Sequence, residues 1–114
     1  MEIKSENYVV AHNPTTATVT FQGTLRLQDV IEYGRILQLL DEAVLQKPET
    51  LTLDLGELQF LNSSGFSILS RFVIKIRERN NTKLIVRGSE EVYWQQKSLK
   101  SLQRLMKDLK TEWI

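Results

Sequence analysis

Strand-like and helix-like segments alternate along the chain of 114 residues, and this alternation limits the possible folds more than any other feature. The stretches NYVVA and TATVTFQG have the β-branched residues and the two-residue alternation that are typical of half-buried strands. The stretch HNPTT between them has turn chemistry, so the two strands are predicted to form a hairpin. Further along, LTLDL (residues 51–55) and KLIVRG (residues 83–88) are predicted to be two more strands.

Three segments have the three- and four-residue apolar spacing of amphipathic helices. The first runs from Asp29 to Gln46 and stops before Pro48, the second begins at Gly65, and the third carries a leucine stripe over residues 99–109. The predicted order is therefore β-β-α-β-α-β-α, an α/β fold in which a mixed β-sheet is covered by helices. The terminal TEWI is compatible with either a short edge strand or a frayed tail. The core stripe of the first helix is predicted to consist of Val30, Tyr33, Leu37, Leu40 and Val44.

The composition narrows the classes of function. A chain of this length with 41% hydrophobic residues is expected to form one domain, residues 1–114, without metals or disulfides. The absence of cysteine excludes disulfides, a thiol nucleophile and cysteine metal sites. The sequence also lacks a dense cluster of acidic residues of the kind that binds a metal ion. The formal net charge of +1 favours neither nucleic acid nor an anionic membrane as a partner. With no apolar run long enough for a signal peptide or a membrane span, we expect a cytoplasmic protein without direct membrane insertion.

The stretch FLNSSGFSIL places two serines and a glycine where a strand is predicted to give way to a helix. Asn62 and Ser63 are both good helix caps, so one interpretation is purely structural. That interpretation leaves Ser64 unexplained, and it leaves Gly65 in a helical turn that glycine weakens. The alternative is an anion site, since free N–H groups and the helix dipole both favour a phosphate at this position. The residues alone leave both interpretations open.

Catalysis by this serine pair is not predicted. A serine hydrolase needs a base beside the nucleophile, and the only histidine, His12, belongs to the predicted hairpin. The motif NSSG is not a nucleophile elbow, and no phosphate-binding GxxxxGK loop is present. We therefore expect neither an enzyme nor a cofactor.

The stretch LTLDLGELQFLNSSGFSILSRF resembles the signature of STAS domains, in which a strand and a short loop lead to an Asp-Ser-Ser-Gly motif at the start of the second helix. The predicted order of elements is also similar to that fold. In the anti-sigma factor antagonists of the family, a partner that is both serine kinase and anti-sigma factor phosphorylates the second serine and releases the phosphorylated form. The resemblance therefore implies a regulatory protein–protein interaction domain. Ser64, rather than Ser63, would accept the phosphate, and partner binding would involve Asn62, Ser63, Ser64, Gly65 and Ser67.

One residue departs from the motif, because Asn62 stands where the antagonists have an acidic residue. Asparagine caps a helix well but provides no basic carboxylate beside the acceptor hydroxyl. An alternative is therefore a STAS domain used as a constitutive adaptor, as in the small subunit of phospholipid-transport ABC complexes. Some STAS domains also bind nucleotides. Whether partner binding depends on charge at Ser64 distinguishes the switch from the adaptor.

Overall fold

The structure, a computed structural model, describes residues 1–114 as one six-stranded sheet and three helices. The predicted order β-β-α-β-α-β-α is confirmed, and a short edge strand is added at each end. The segment 111–114 thus belongs largely to a strand rather than to a frayed tail. No helix is both long enough and apolar enough to cross a membrane. In chain order the elements are β1 (Glu2–Lys4), β2 (Tyr8–Asn13), β3 (Thr18–Leu25), α1 (Val30–Leu45), β4 (Thr50–Leu61), α2 (Ser63–Arg79), β5 (Lys83–Gly88), α3 (Gln95–Leu105) and β6 (Lys110–Trp113).

The strands lie in the sheet in the same order as in the chain. β1, β2 and β3 pair antiparallel, which confirms the predicted hairpin, and β3 to β6 pair parallel. Each connection between two parallel strands contains a helix, and each leads to the neighbouring strand on the same side of the sheet. Because such crossovers are right-handed, the three helices lie on one face of the sheet.

A core of 27 buried residues fills the space between the sheet and the helices. In β4 the leucines at 51, 53 and 55 are buried, whereas Thr52 and Asp54 point to the other face and stay partly exposed. The predicted core stripe of α1 is partly wrong. Val30 is 86% exposed because it begins the helix at the edge of the sheet, while Tyr33 and Leu37 are only half-buried. The residues of α1 that are buried are Ile36, Leu39, Leu40, Ala43 and Val44.

The far end of β4 is held by a side chain from α3. The Nε2 atom of Gln95, which is fully buried, donates hydrogen bonds to the carbonyl oxygens of Leu55 (2.7 Å) and Leu58 (3.0 Å). Its Oε1 atom accepts a hydrogen bond from the N–H of Ser89 at 2.7 Å. The indole of Trp94 adds a bond to the carbonyl of Gln59 at 2.8 Å. These contacts fix the irregular part of β4 that leads into the start of α2.

Candidate functional site

The candidate site lies where two helices begin next to each other. β3 and β4 are adjacent and parallel, so the loops that leave their carboxyl ends meet at the same edge of the sheet. α1 follows β3, and α2 follows β4 with only one residue between strand and helix. This edge is where open α/β sheets commonly present their binding residues.

Asn62 is the N-cap of α2 and also ties α2 to the loop after β3. Its Oδ1 accepts a hydrogen bond from the N–H of Gly65 at 2.9 Å, as an N-cap side chain does. Its Nδ2 donates to the carbonyl oxygen of Leu27 at 2.8 Å, and its main-chain N–H donates to the carbonyl oxygen of Leu25 at 3.1 Å. An aspartate could replace the cap but could not donate to Leu27 when ionised. The amide therefore has a structural function that a carboxylate lacks.

The two serines occupy the first two positions of α2, and both are exposed. The N–H groups of Gly65 and Phe66 are satisfied by the side chain and the carbonyl of Asn62. The N–H groups of Ser63 and Ser64 have no hydrogen-bond acceptor within the protein, so they remain free donors at the start of the helix. Because Asn62 is the cap, neither serine hydroxyl is needed to start the helix.

Gly65 is buried, and its lack of a side chain makes room for Leu61. A Cβ atom at this position would collide with the end of the Leu61 side chain, which is half-buried against the core. The close approach explains why a glycine is placed in the first turn despite its cost to the helix. Gly65 thus shapes the site from beneath rather than lining its surface.

A small polar cluster extends the site along α2. The hydroxyl oxygens of Ser67 and Tyr33 lie 3.3 Å apart, which joins α2 to α1. Nη1 of Arg71, one turn further along α2, donates to the Tyr33 hydroxyl at 3.4 Å. Ser67 is exposed, as Ser64 is, and it follows Ser64 by three residues in α2.

Ser64 also lines a surface cleft of about 330 Å³ between the starts of the two helices. The one charged residue in its lining is Asp29, whose Oδ1 accepts from the N–H of Glu32 at 2.8 Å and caps α1. Val30, which lines the cleft, is 86% exposed, and Ile31, which follows it in α1, is 75% exposed. The cleft is lined by Leu27, Gln28, Asp29, Val30, Tyr33 and Ser64.

The titratable side chains with shifted pKa values lie outside this cleft. Burial raises the pKa of Tyr8, and the neighbouring carboxylate of Glu32 raises it further. Burial lowers the pKa of His12, helped by the charge of the amino terminus and opposed by Glu42. His12 lines a separate cavity with Pro14 and Pro48, so the structure does not bring the histidine to the serine pair.

The structure brings all five predicted binding residues to the start of α2, but in two layers. Ser63, Ser64 and Ser67 are exposed, whereas Asn62 and Gly65 lie beneath them. The site predicted from the sequence includes neither Tyr33 nor the residues of the loop before α1. The adjacency of parallel strand ends was the signal that could have indicated them.

Comparison with known proteins gives the family of the chain. A family model described as STAS domain matches residues 7–105, and the chain belongs to this family. A sequence search of curated proteins finds no significant match.

Similar solved structures come from two bacteria. One is a chain in the crystal structure of the diguanylate cyclase SiaD in complex with its activator SiaC from Pseudomonas aeruginosa, with a TM-score of 0.77 at 11% identity, covering 100% of this chain and 99% of that one. SiaC of Pseudomonas aeruginosa alone has a TM-score of 0.74 at 12% identity, over 98% of this chain and 94% of that one. An anti-sigma factor antagonist from Mycobacterium paratuberculosis has a TM-score of 0.60 at 19% identity, over 96% of this chain and 82% of that one. At these identities the similarity shows a shared fold.

Proposed function

We propose that this protein is a regulatory domain that binds a protein partner through the start of α2, and that phosphorylation of Ser64 weakens this binding. The observation that carries the proposal is that Ser64 is exposed on the first turn of α2 while Asn62 alone caps the helix. Ser64 can therefore change its charge without losing a bond that holds the fold together. A phosphate adds roughly −1.5 to −2 charges. The free N–H groups of the first turn can donate hydrogen bonds to its oxygens, so they favour an anion at this position.

The family and the similar structures support a protein as the partner. The STAS resemblance implies a serine kinase that also acts as an anti-sigma factor. SiaC, which shares the fold, is the activator of a diguanylate cyclase and forms a complex with it. Both cases support a protein partner, and the kinase of the anti-sigma type is the one that we propose here.

Asn62 is compatible with this switch. The missing carboxylate means that the base for phosphoryl transfer would come from the kinase rather than from this chain. The side chain of Asn62 is occupied by Gly65 and Leu27, so its part in the switch is to hold the serine pair in place.

The test is a quantitative pull-down from the native host with wild-type, Ser64→Asp and Gln96→Asp baits. Gln96 is exposed and occupies the second position of α3, as Ser64 does in α2, so Gln96→Asp is a matched control for charge at a helix start. We expect a kinase-like protein to be retained by the wild type and by Gln96→Asp, to be lost by Ser64→Asp, and to yield a phosphopeptide that contains Ser64. Equal retention by all three baits without a phosphopeptide would reject the switch and favour the constitutive adaptor.

A further inference from the structure

Two of the most exposed large apolar side chains of the protein are neighbours at the start of α1. Val30 and Ile31 are 86% and 75% exposed, and both precede the part of the helix that packs on the sheet. Val30 lines the same cleft as Ser64, and Ile31 is the next residue of α1. Single exposed apolar side chains are common, whereas contiguous exposed apolar surface with polar residues at its rim is typical of protein interaction sites.

We propose that the protein partner docks an apolar segment on this surface, which consists of Val30, Ile31 and the cleft beside Ser64. The inference rests on the proposed function in taking the occupant to be a protein partner, and it goes further by naming the second contact and its chemistry. Leu27 and Tyr33 give the cleft apolar walls, and Asp29 is the one charged residue among its six lining residues. An apolar side chain of the partner fits such a lining better than an anion does.

The size of the surface argues against a second copy of this chain as the occupant. A stable interface typically uses roughly 20–30 residues on each side. The surface described here has seven residues, Ile31 and the six that line the cleft. This is far fewer, and it suits a transient complex with a partner that must also be released.

The same contact gives a physical reason for the effect of a phosphate. A phosphoserine in an apolar interface, or beside a carboxylate, opposes binding through desolvation and like-charge repulsion. Ser64 meets both conditions, because it shares the cleft with Val30 and with Asp29. The phosphate would be tolerated by the free protein and would oppose the docked state.

The surface is tested by site-specific photo-crosslinking in the native host. A photoreactive phenylalanine analogue replaces Ile31 in one variant and Leu45 in the other. Leu45 is the matched control, because it is the last residue of α1 and its side chain is 66% exposed. We expect position 31, and not position 45, to be joined to an apolar peptide of a second protein, identified by mass spectrometry. A crosslink to another copy of this chain, equal crosslinks from both positions, or none from position 31 would overturn the inference.

Adding Ser64→Asp to the position 31 variant separates this inference from the proposed function. Loss of the crosslink supports both. A crosslink that persists supports the docking surface and rejects the switch. If the pull-down captures a partner in a Ser64-dependent manner but position 31 is never crosslinked to it, the switch is supported and the docking surface is rejected. In binding titrations with the purified partner, Val30→Ser with Ile31→Ser is expected to weaken affinity by about tenfold or more, and Leu45→Ser by less than about twofold.

Discussion

The side-chain amide of Asn62 lies 2.8 Å from the carbonyl oxygen of Leu27, a residue 35 positions earlier in the chain. The Oδ1 atom of the same side chain accepts a hydrogen bond from the N–H of Gly65, so both polar atoms of the amide are hydrogen-bonded. The position at which the chain departs from the antagonist motif is therefore a position at which the structure needs a donor. This side chain, together with the main-chain bond from Asn62 to Leu25, ties the start of α2 to the end of β3 and the loop before α1.

Replacing Asn62 should reveal both bonds. We expect Asn62→Asp to lower the free energy of unfolding by about 1 kcal/mol, since the cap is kept but the bond to Leu27 is lost. Asn62→Ala should lower it by about 2 kcal/mol, because both bonds are lost. Urea unfolding at pH 7 measures both values. An Asp variant as stable as the wild type would show that the bond to Leu27 contributes nothing.

Substitution by alanine should affect the free energy of unfolding differently at two helical glycines. Gly34 lies within α1 with open space around it, so Gly34→Ala is expected to raise the free energy of unfolding by about 1 kcal/mol. At Gly65 the new methyl group would collide with the end of the Leu61 side chain, which would have to shift within its packing against the core. We therefore expect Gly65→Ala to be no more stable than the wild type in the same unfolding measurement. Equal stabilisation by the two substitutions would contradict the close approach of Leu61.

The buried glutamine of α3 should be far more sensitive than its neighbour. Gln95→Leu would leave the carbonyl oxygens of Leu55 and Leu58 and the N–H of Ser89 without partners, at a cost of about 3 kcal/mol or more. Gln96 is exposed, so Gln96→Leu is expected to change stability by less than about 0.5 kcal/mol. Urea titrations of the two variants make the comparison. Similar midpoints would show that the three bonds to Gln95 are not needed.

His12 should make the protein less stable under mildly acidic conditions. Because burial lowers the pKa of His12 in the folded protein, the unfolded chain binds the proton more readily. This contribution to stability is fully present above the unfolded pKa of about 6.5 and is lost as the pH falls towards the lower folded value. Thermal unfolding between pH 7.5 and 5 should show a steeper loss for the wild type than for His12→Gln. Parallel curves would show that His12 does not titrate with a lowered pKa.

The order of the elements could be predicted because their signals are local. The hairpin turn, the stop before Pro48 and the apolar period of α2 each depend on a few neighbouring residues. The edge strands β1 and β6 are harder to predict from the sequence, because three or four residues show too little periodicity to be distinguished from a tail. Val30 was assigned to the core because spacing alone does not show where a helix leaves the sheet.

The serine motif could be located in the sequence, but its surroundings could not. The cap at Asn62 is a local signal, whereas its bond to Leu27 and the contact between Ser67 and Tyr33 join residues more than 30 positions apart. The sequence shows that Gly65 is an unfavourable residue for a helical turn, but the group that approaches it closely, Leu61, is evident only from the packing. The part of the site that α1 contributes follows from the pairing of β3 with β4, which no short motif encodes.

The link between Asn62 and the carbonyl groups of residues 25 and 27 also bears on what an upstream kinase would have to recognise. A synthetic peptide that covers β4 and α2 would contain the serines but lack the strand that positions them. The substrate would then be a conformational epitope rather than a linear motif. Under the proposed switch, a chain that has not completed its fold would escape modification, so phosphate on Ser64 would report on the folded population alone.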